Sequence, residues 1–214
     1  MDLPSIIPVF ALPNVVLFPG VPLPLHIFEP RYRDMVRAAA ASHEIIGMAL
    51  LRGEWQKHYE AAPEIFTIGC AGKIVNVEPL PDGRFNILLH GQREFTIRRH
   101  IFDKSFRQAE VAWRVGGHDV LGPARRTALT QLLARFLGTD TASPAQRLLQ
   151  DESLSDEMLV NFFSYAVELE PLEKQGLLEA DSLVARAQRL GEIIEFRLEE
   201  QRLTMKRPGP DRCH

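Results

Sequence analysis

The residues with the most reactive side chains are Cys70, Cys213 and seven histidines, since thiolates and imidazoles serve as nucleophiles, bases and metal ligands. Their spacing supplies none of them with a partner. Zinc sites cluster Cys and His at short intervals, whereas here they are scattered, and Ser42-His43 and His118-Asp119 are neighbours of the kind chance supplies. Gly117 and Gly122 have the glycine spacing of a phosphate loop, but Pro123-Ala124 follow where Lys and Ser or Thr are required. No Gly-x-Ser-x-Gly elbow, dinucleotide fingerprint or lysine-activated serine motif occurs. Cys70 sits in an apolar strand pattern and reads as a small buried hydrophobe. His26 and His90 read as packed or hydrogen-bonded side chains. The expectation is a chain with no catalytic residue, no metal and no cofactor.

What remains is the chemistry of recognition, and it gathers near the start of the chain. Leu12, Val15, Leu17, Phe18, Leu25, Ile27 and Phe28 are apolar enough to fill a core. Within the same stretch, Phe18, Pro19, Pro22, Phe28 and Tyr32 are the candidates for an exposed apolar binding surface, with Arg31 and Arg93 on its polar rim. Apolar patches rimmed by polar groups mark interaction sites, and an open strand edge can also capture an extended polypeptide. For Arg93 the plainer role is to pack its stem and pair a carboxylate such as Glu94 or Glu29.

These candidates need elements to hold them. Prolines at 4, 8, 13, 19, 22, 24 and 30 forbid a long early helix, because each ring fixes φ and removes an N–H donor. Pro19-Gly20 marks a turn or bulge. Glu29-Pro30 then opens a helix, and from Tyr32 the apolar residues Met35, Val36, Ala39 and Ala40 fall on one face. Five runs rich in β-branched and aromatic residues predict strands: 44–51, 65–77, 84–90, 94–101 and 108–115. Asp82-Gly83 supplies the positive φ of a tight hairpin between two of them. Near Gly116 to Pro123 the apolar period changes from 2 to 3.6. Leu129, Leu132, Leu133, Phe136 and Leu137 make one helical stripe, and Ser143-Pro144 starts another helix. Ser155 opens a third, carrying Leu159, Val160, Phe163, Ala166 and Val167. Asp181 or Ser182 caps the last, in which Leu183, Ala187, Leu190, Ile194 and Leu198 align. The expected architecture is α+β: a mixed or closed barrel with one short helix over 1–117, a helical bundle over 118–205, and a disordered tail over 206–214.

Charge narrows the function classes. Up to residue 117 there are 13 Lys and Arg against 12 Asp and Glu, and beyond it 12 against 16. Neither half has the basic excess from which phosphate binders draw most of their affinity, so nucleic acid is disfavoured as a partner. No run approaches the ~20 apolar residues that span a bilayer. The N-terminus opens with an acid and prolines where a signal peptide needs positive charge, and two distant cysteines suit a reducing compartment. A soluble cytoplasmic protein is expected.

One further pattern is specific. The opening Ile7-Pro8-Val9-Phe10-Ala11-Leu12-Pro13-Asn14-Val15-Val16-Leu17-Phe18-Pro19-Gly20, with Pro22-Leu23-Pro24-Leu25-His26-Ile27-Phe28-Glu29 soon after, resembles the start of the amino-terminal domain of Lon protease. The likeness continues through Ile68-Gly69-Cys70-Ala71-Gly72-Lys73-Ile74, the Leu-Pro-Asp-Gly turn and Ile87-Leu88-Leu89-His90-Gly91-Gln92-Arg93-Glu94-Phe95, resembling the family's segment in which a strand runs into a turn between a glycine and an arginine. It covers about residues 6 to 200. The resemblance implies a PUA-like β-barrel followed by a helical bundle, used to recognise unfolded or partner polypeptides, in a stand-alone member without the ATPase and peptidase modules. Recognition in company with a protease is the expected role, as an adaptor or chaperone-like protein. Two other classes compete: an RNA-binding PUA-like protein, which salt-sensitive RNA retention would favour, and a small-molecule enzyme, which a pocket with convergent polar groups would favour.

Overall fold

The computed structural model describes residues 3–58, 62–115, 120–138, 144–151 and 153–205. The expected boundary at 117/118, His118, Ser143, Cys213 and the tail 206–214 lie outside them. Six strands carry the first half: β1 (Ile6–Leu12), β2 (Pro22–Ile27), β3 (Ile45–Leu50), β4 (Ile68–Pro79), β5 (Phe85–Ile101) and β6 (Gln108–Trp113), with α1 (Pro30–Ala40) between β2 and β3. The helices that follow are α2 (Pro123–Leu137), α3 (Pro144–Leu149), α4 (Asp156–Ala166), α5 (Pro171–Leu178) and α6 (Leu183–Met205). None of the described helices is long and apolar enough to cross a membrane.

The strands form one mixed sheet in the order β2-β5-β4-β3-β1-β6, antiparallel except for the parallel pair β1 and β3. The α+β class matches expectation, but the sheet is not a closed barrel. It curls because the 17-residue β5 pairs β2 along its first half and β6 along its second, while β2 pairs β5 alone and leaves an open edge. The two separate strands expected over 84–101 are therefore one. Gly91 explains the misreading. The turn expected at Gly91-Gln92-Arg93 is instead a bulge, where Gly91 pairs Gly72 and Arg93 pairs Ala71 with Gln92 left over.

Phe18-Pro19-Gly20-Val21 is a tight turn closed by the Val21 N–H donating to the Phe18 carbonyl at 3.2 Å, with Gly20 at φ 78°. Proline second and positive-φ glycine third is what a type II turn requires. The turn lies directly on β5: the Gly20 N–H donates to the Gly91 carbonyl and the Gly91 N–H to the Val21 carbonyl, both at 2.9 Å.

Two compact units result. One comprises Met1–Gly117 with Asn161–Glu179, the other His118–Val160 with Ala180–His214. Sequence periodicity places 161–179 with the helices, yet its polar side chains bind the strands. Asn161 donates to the Pro19 carbonyl at 3.1 Å, Gln175 to the Ile68 carbonyl at 3.0 Å, and Arg114 to the Leu178 carbonyl at 3.2 Å. Asn161 and Gln175 are both buried, where an unmatched amide would be costly. The core of this unit includes Ile7, Val9, Ala49, Ala71, Phe95, Ala109 and Val111, and α1 buries Tyr32, Met35, Val36 and Ala39 while Ala40 stays exposed.

Within the second unit, α2 packs along α6, burying Leu129 and Leu133 from one and Ala187, Leu190 and Ile194 from the other. Asp156 accepts from the Leu121 N–H at 2.8 Å and from Arg126 at 2.6 Å, tying the starts of α2 and α4 together. Ser155 caps α4 through the Met158 N–H, and Ser182 caps α6 through the Ala185 N–H at 3.1 Å. Pro171 starts α5, with a capping box between Glu170 and Glu173.

Candidate polypeptide-binding face

The strand alternation of β2 decides which of its side chains a partner can reach. Leu23 and Ile27 turn inward and are buried, so Pro22, Pro24 and His26 share the outer face, all exposed. Phe28 follows at the strand's end and is 61% exposed, an unusual position for a large aromatic ring. Across the β2–β5 ladder, Pro22 lies beside His90, Pro24 beside the half-buried Leu88, and His26 beside Asn86. Val75, at the register shift of β4 against β5, adds an apolar side chain that is 54% exposed.

A hydrogen-bonded rim borders this apolar strip. The His26 ring nitrogen Nδ1 meets Asn86 Oδ1 at 2.8 Å, and Asn86 donates to Glu78 at 3.0 Å. Arg84 donates to Asp82 at 2.6 Å and contacts the other His26 ring nitrogen at 3.2 Å. Hydrogen bonds from Arg84 hold the Asp82 carboxyl below its usual range, and Asp82 in turn raises Arg84. The Arg84–Asp82 pair thus stays ionised near neutral pH, and these hydrogen bonds fix His26, whose ring lies 6.3 Å from that of Phe28.

The open edge of β2 is poorly suited to strand addition. Pro22 and Pro24 have no N–H, and prolines are tolerated in a strand where the missing donor faces away from the ladder. That outward edge offers carbonyls but few donors, a standard way of blunting an edge. Side chains, not the backbone, are what this face presents.

The seven residues singled out in the sequence part company here. Pro22 and Phe28 lie on the exposed strip, but Phe18, Pro19 and Tyr32 are buried, because the turn at 18–21 is pressed onto β5 and Tyr32 faces inward from α1 with its ring 4.2 Å from that of Phe10. Phe18 and Pro19 support the face from beneath through the turn, and Tyr32 lies away from it against Phe10. Arg31 pairs Glu29 at 2.9 Å and lies 4.6 Å from the centre of the Tyr32 ring. Arg93 is exposed on β5 beside Lys73, His43 and Gln92, around a separate small hollow. It pairs neither expected carboxylate. Glu94 points to the opposite side of the strand, where it meets Arg114 at 3.2 Å, and Glu29 is taken by Arg31. Pro24, His26, Leu88 and Val75 were missed, although the period-2 spacing of Pro22, Pro24, His26 and Phe28 was visible. Cys70 is fully buried, as expected. Among the described residues, no group of three or more His, Cys, Asp and Glu side chains is placed to hold a metal ion.

Residues 6–195 match the substrate-binding domain of ATP-dependent protease La (LON). The chain belongs to that family. Its relatives include the Lon protease of Cytophaga hutchinsonii, 29% identical over 100% of this chain and 26% of the relative, and that of Roseiflexus castenholzii, 31% identical over 94% and 25%. The chain therefore spans about a quarter of the length of these relatives. Among solved structures, it resembles a Lon N-terminal domain protein from Xanthomonas campestris, with TM-score 0.65 and 24% identity over 87% of this chain and 96% of that one. It also resembles the N-terminal domain of Mycobacterium avium complex Lon protease, with TM-score 0.71 and 19% identity over 89% and 98%. These two likenesses establish the LON-type fold.

Proposed function

We propose that this LON-type domain holds unfolded or partner polypeptides on the outer face of β2 and β5 without cleaving them, as an adaptor or chaperone-like partner of a cytoplasmic protease. The observation that carries this reading is Phe28, an aromatic ring left 61% exposed at the end of the strand whose outer face carries Pro22, Pro24 and His26, in a substrate-binding-domain family. Apolar side chains of an unfolded chain would pack on this strip, and the polar rim of Arg84, Asp82 and Glu78 would orient polar backbone groups around it. Because Pro22 and Pro24 blunt the edge, binding depends on side-chain contact and tolerates many sequences.

The test is fluorescence anisotropy of the purified protein with a destabilised model polypeptide and with the folded form of the same polypeptide. Preferential capture of the unfolded form is expected, weakened about tenfold or more by Phe28→Ala, since buried aromatic anchors dominate such interfaces. Thermal stability should be unchanged, because Phe28 contributes little to the core. Equal affinity for both forms, or indifference to Phe28→Ala, would refute the assignment.

A further inference from the structure

A cavity of about 200 Å³ opens in the strand-containing unit, walled by Val9, Ala11, Leu51 and Phe106 and fringed by Arg31, Lys104 and Arg107. Its volume is below the roughly 300 Å³ at which pockets for drug-sized ligands begin, so it suits a single side chain or chain end. Among the described residues, three cations and no carboxylate line it. Glu29 offsets Arg31 at 2.9 Å, but Arg107 and Lys104 have no ion pair among the described residues.

Arg107 is the telling group. It is half-buried, and one of its guanidinium N–H groups donates to the Pro63 carbonyl at 2.7 Å. The remaining donors have no partner among the described residues, although a guanidinium carries five donors in a rigid fork matched to carboxylates. Burial, and to a smaller extent the neighbouring Arg31 charge, push Arg107 below its usual range, against an opposing influence of Tyr32. Phe102, 59% exposed at the lip, lies 5.6 Å from the Arg107 guanidinium, and Phe106 a similar distance from the Lys104 ammonium. The rings fix the cations in place.

We propose that this cavity receives a carboxylate of the bound polypeptide, either its chain end or an acidic side chain, with the adjoining apolar group against Val9, Ala11 and Leu51. The proposal rests on the polypeptide-binding reading above and adds to it a second anchor, one that selects for negative charge. An extended chain presents such groups freely, whereas a folded one holds them in local pairs.

Three labelled peptides of one sequence separate the two sources by anisotropy: one ending in a free carboxylate, one with a C-terminal amide, and the amide form with its last residue replaced by glutamate. A carboxylate-bearing peptide should bind roughly 10- to 100-fold more tightly than the neutral amide, the range for a charge-assisted hydrogen bond. Arg107→Gln and Lys104→Gln should each erase part of that preference, and added salt should reduce it. Lys104 is exposed and makes no hydrogen bond among the described residues, so its variant keeps the test valid if Arg107→Gln fails to fold. Which of the two charged peptides binds more tightly identifies the source. Equal binding of all three peptides, with Phe28→Ala still weakening each, would overturn the carboxylate site and leave the apolar face standing. Binding of none of them would overturn both.

Discussion

Replacing Gly91 by alanine tests how the recognition face is held in place. A Cβ at this position would lie 2.0 Å from the Phe18 carbonyl oxygen and 2.9 Å from the Phe18 carbonyl carbon. Both are backbone atoms, so no side-chain rotation relieves the overlap. Either the 18–21 turn lifts away, losing the two 2.9 Å hydrogen bonds that join Gly20, Val21 and Gly91, or β5 yields, which its pairing with β4 opposes. Two backbone hydrogen bonds contribute about 1–3 kcal/mol together, and overpacking adds about 1–3 kcal/mol, giving an expected loss of about 2–6 kcal/mol. Gly176→Ala is the matched control. A Cβ there meets open space within α5, and exchanging glycine for alanine in a helix stabilises by about 0.5–1 kcal/mol. Urea titration followed by circular dichroism should therefore move the two midpoints in opposite directions. A Gly91→Ala midpoint equal to wild type would refute the close approach of turn and strand on which the placement of β2 depends.

Three further perturbations probe the supports of that unit. Asn161→Leu removes the donor to the buried Pro19 carbonyl and should cost about 1–3 kcal/mol; an unchanged midpoint would show that the contact is dispensable. Ser164 is fully buried and its hydroxyl has no partner among the described residues, so Ser164→Ala should leave stability unchanged or raise it by up to about 1 kcal/mol, and a loss beyond 1 kcal/mol would reveal a bond not seen here. Burial first, and then the Arg107 charge, lowers the pKa of His100 from 6.5. The folded state thus takes up that proton less readily than the unfolded chain, so its contribution to stability is present above about pH 6.5 and is lost as pH falls below it. His100→Gln should flatten the change in urea midpoint between pH 7 and pH 5, and an identical slope in the variant would exclude this residue as the source.

Local patterns in the sequence determined much of this protein. Proline at the first helical position placed α1, Asp82-Gly83 placed the β4–β5 hairpin, Ser155 and Ser182 placed two helix starts, and apolar periodicity separated strands from helices. Each is a short-range effect of backbone geometry or side-chain capping, readable within a few residues. The resemblance of the 7–29 stretch to the Lon amino-terminal domain pointed to the family for the same reason, since its prolines, glycine and apolar residues are adjacent in the chain. Tertiary structure decided the rest. Whether Phe18 or Phe28 meets solvent depends on which lies under the turn pressed against Gly91, a contact between residues some 70 positions apart. Segment 161–179 looks like any amphipathic helical stretch, and only the hydrogen bonds from Asn161 and Gln175 to distant strand and turn carbonyls assign it to the strands. The cationic cavity joins Arg31 to Lys104 and Arg107, charges that appear unrelated along a near-neutral sequence and become a site only when the sheet curls to bring them together.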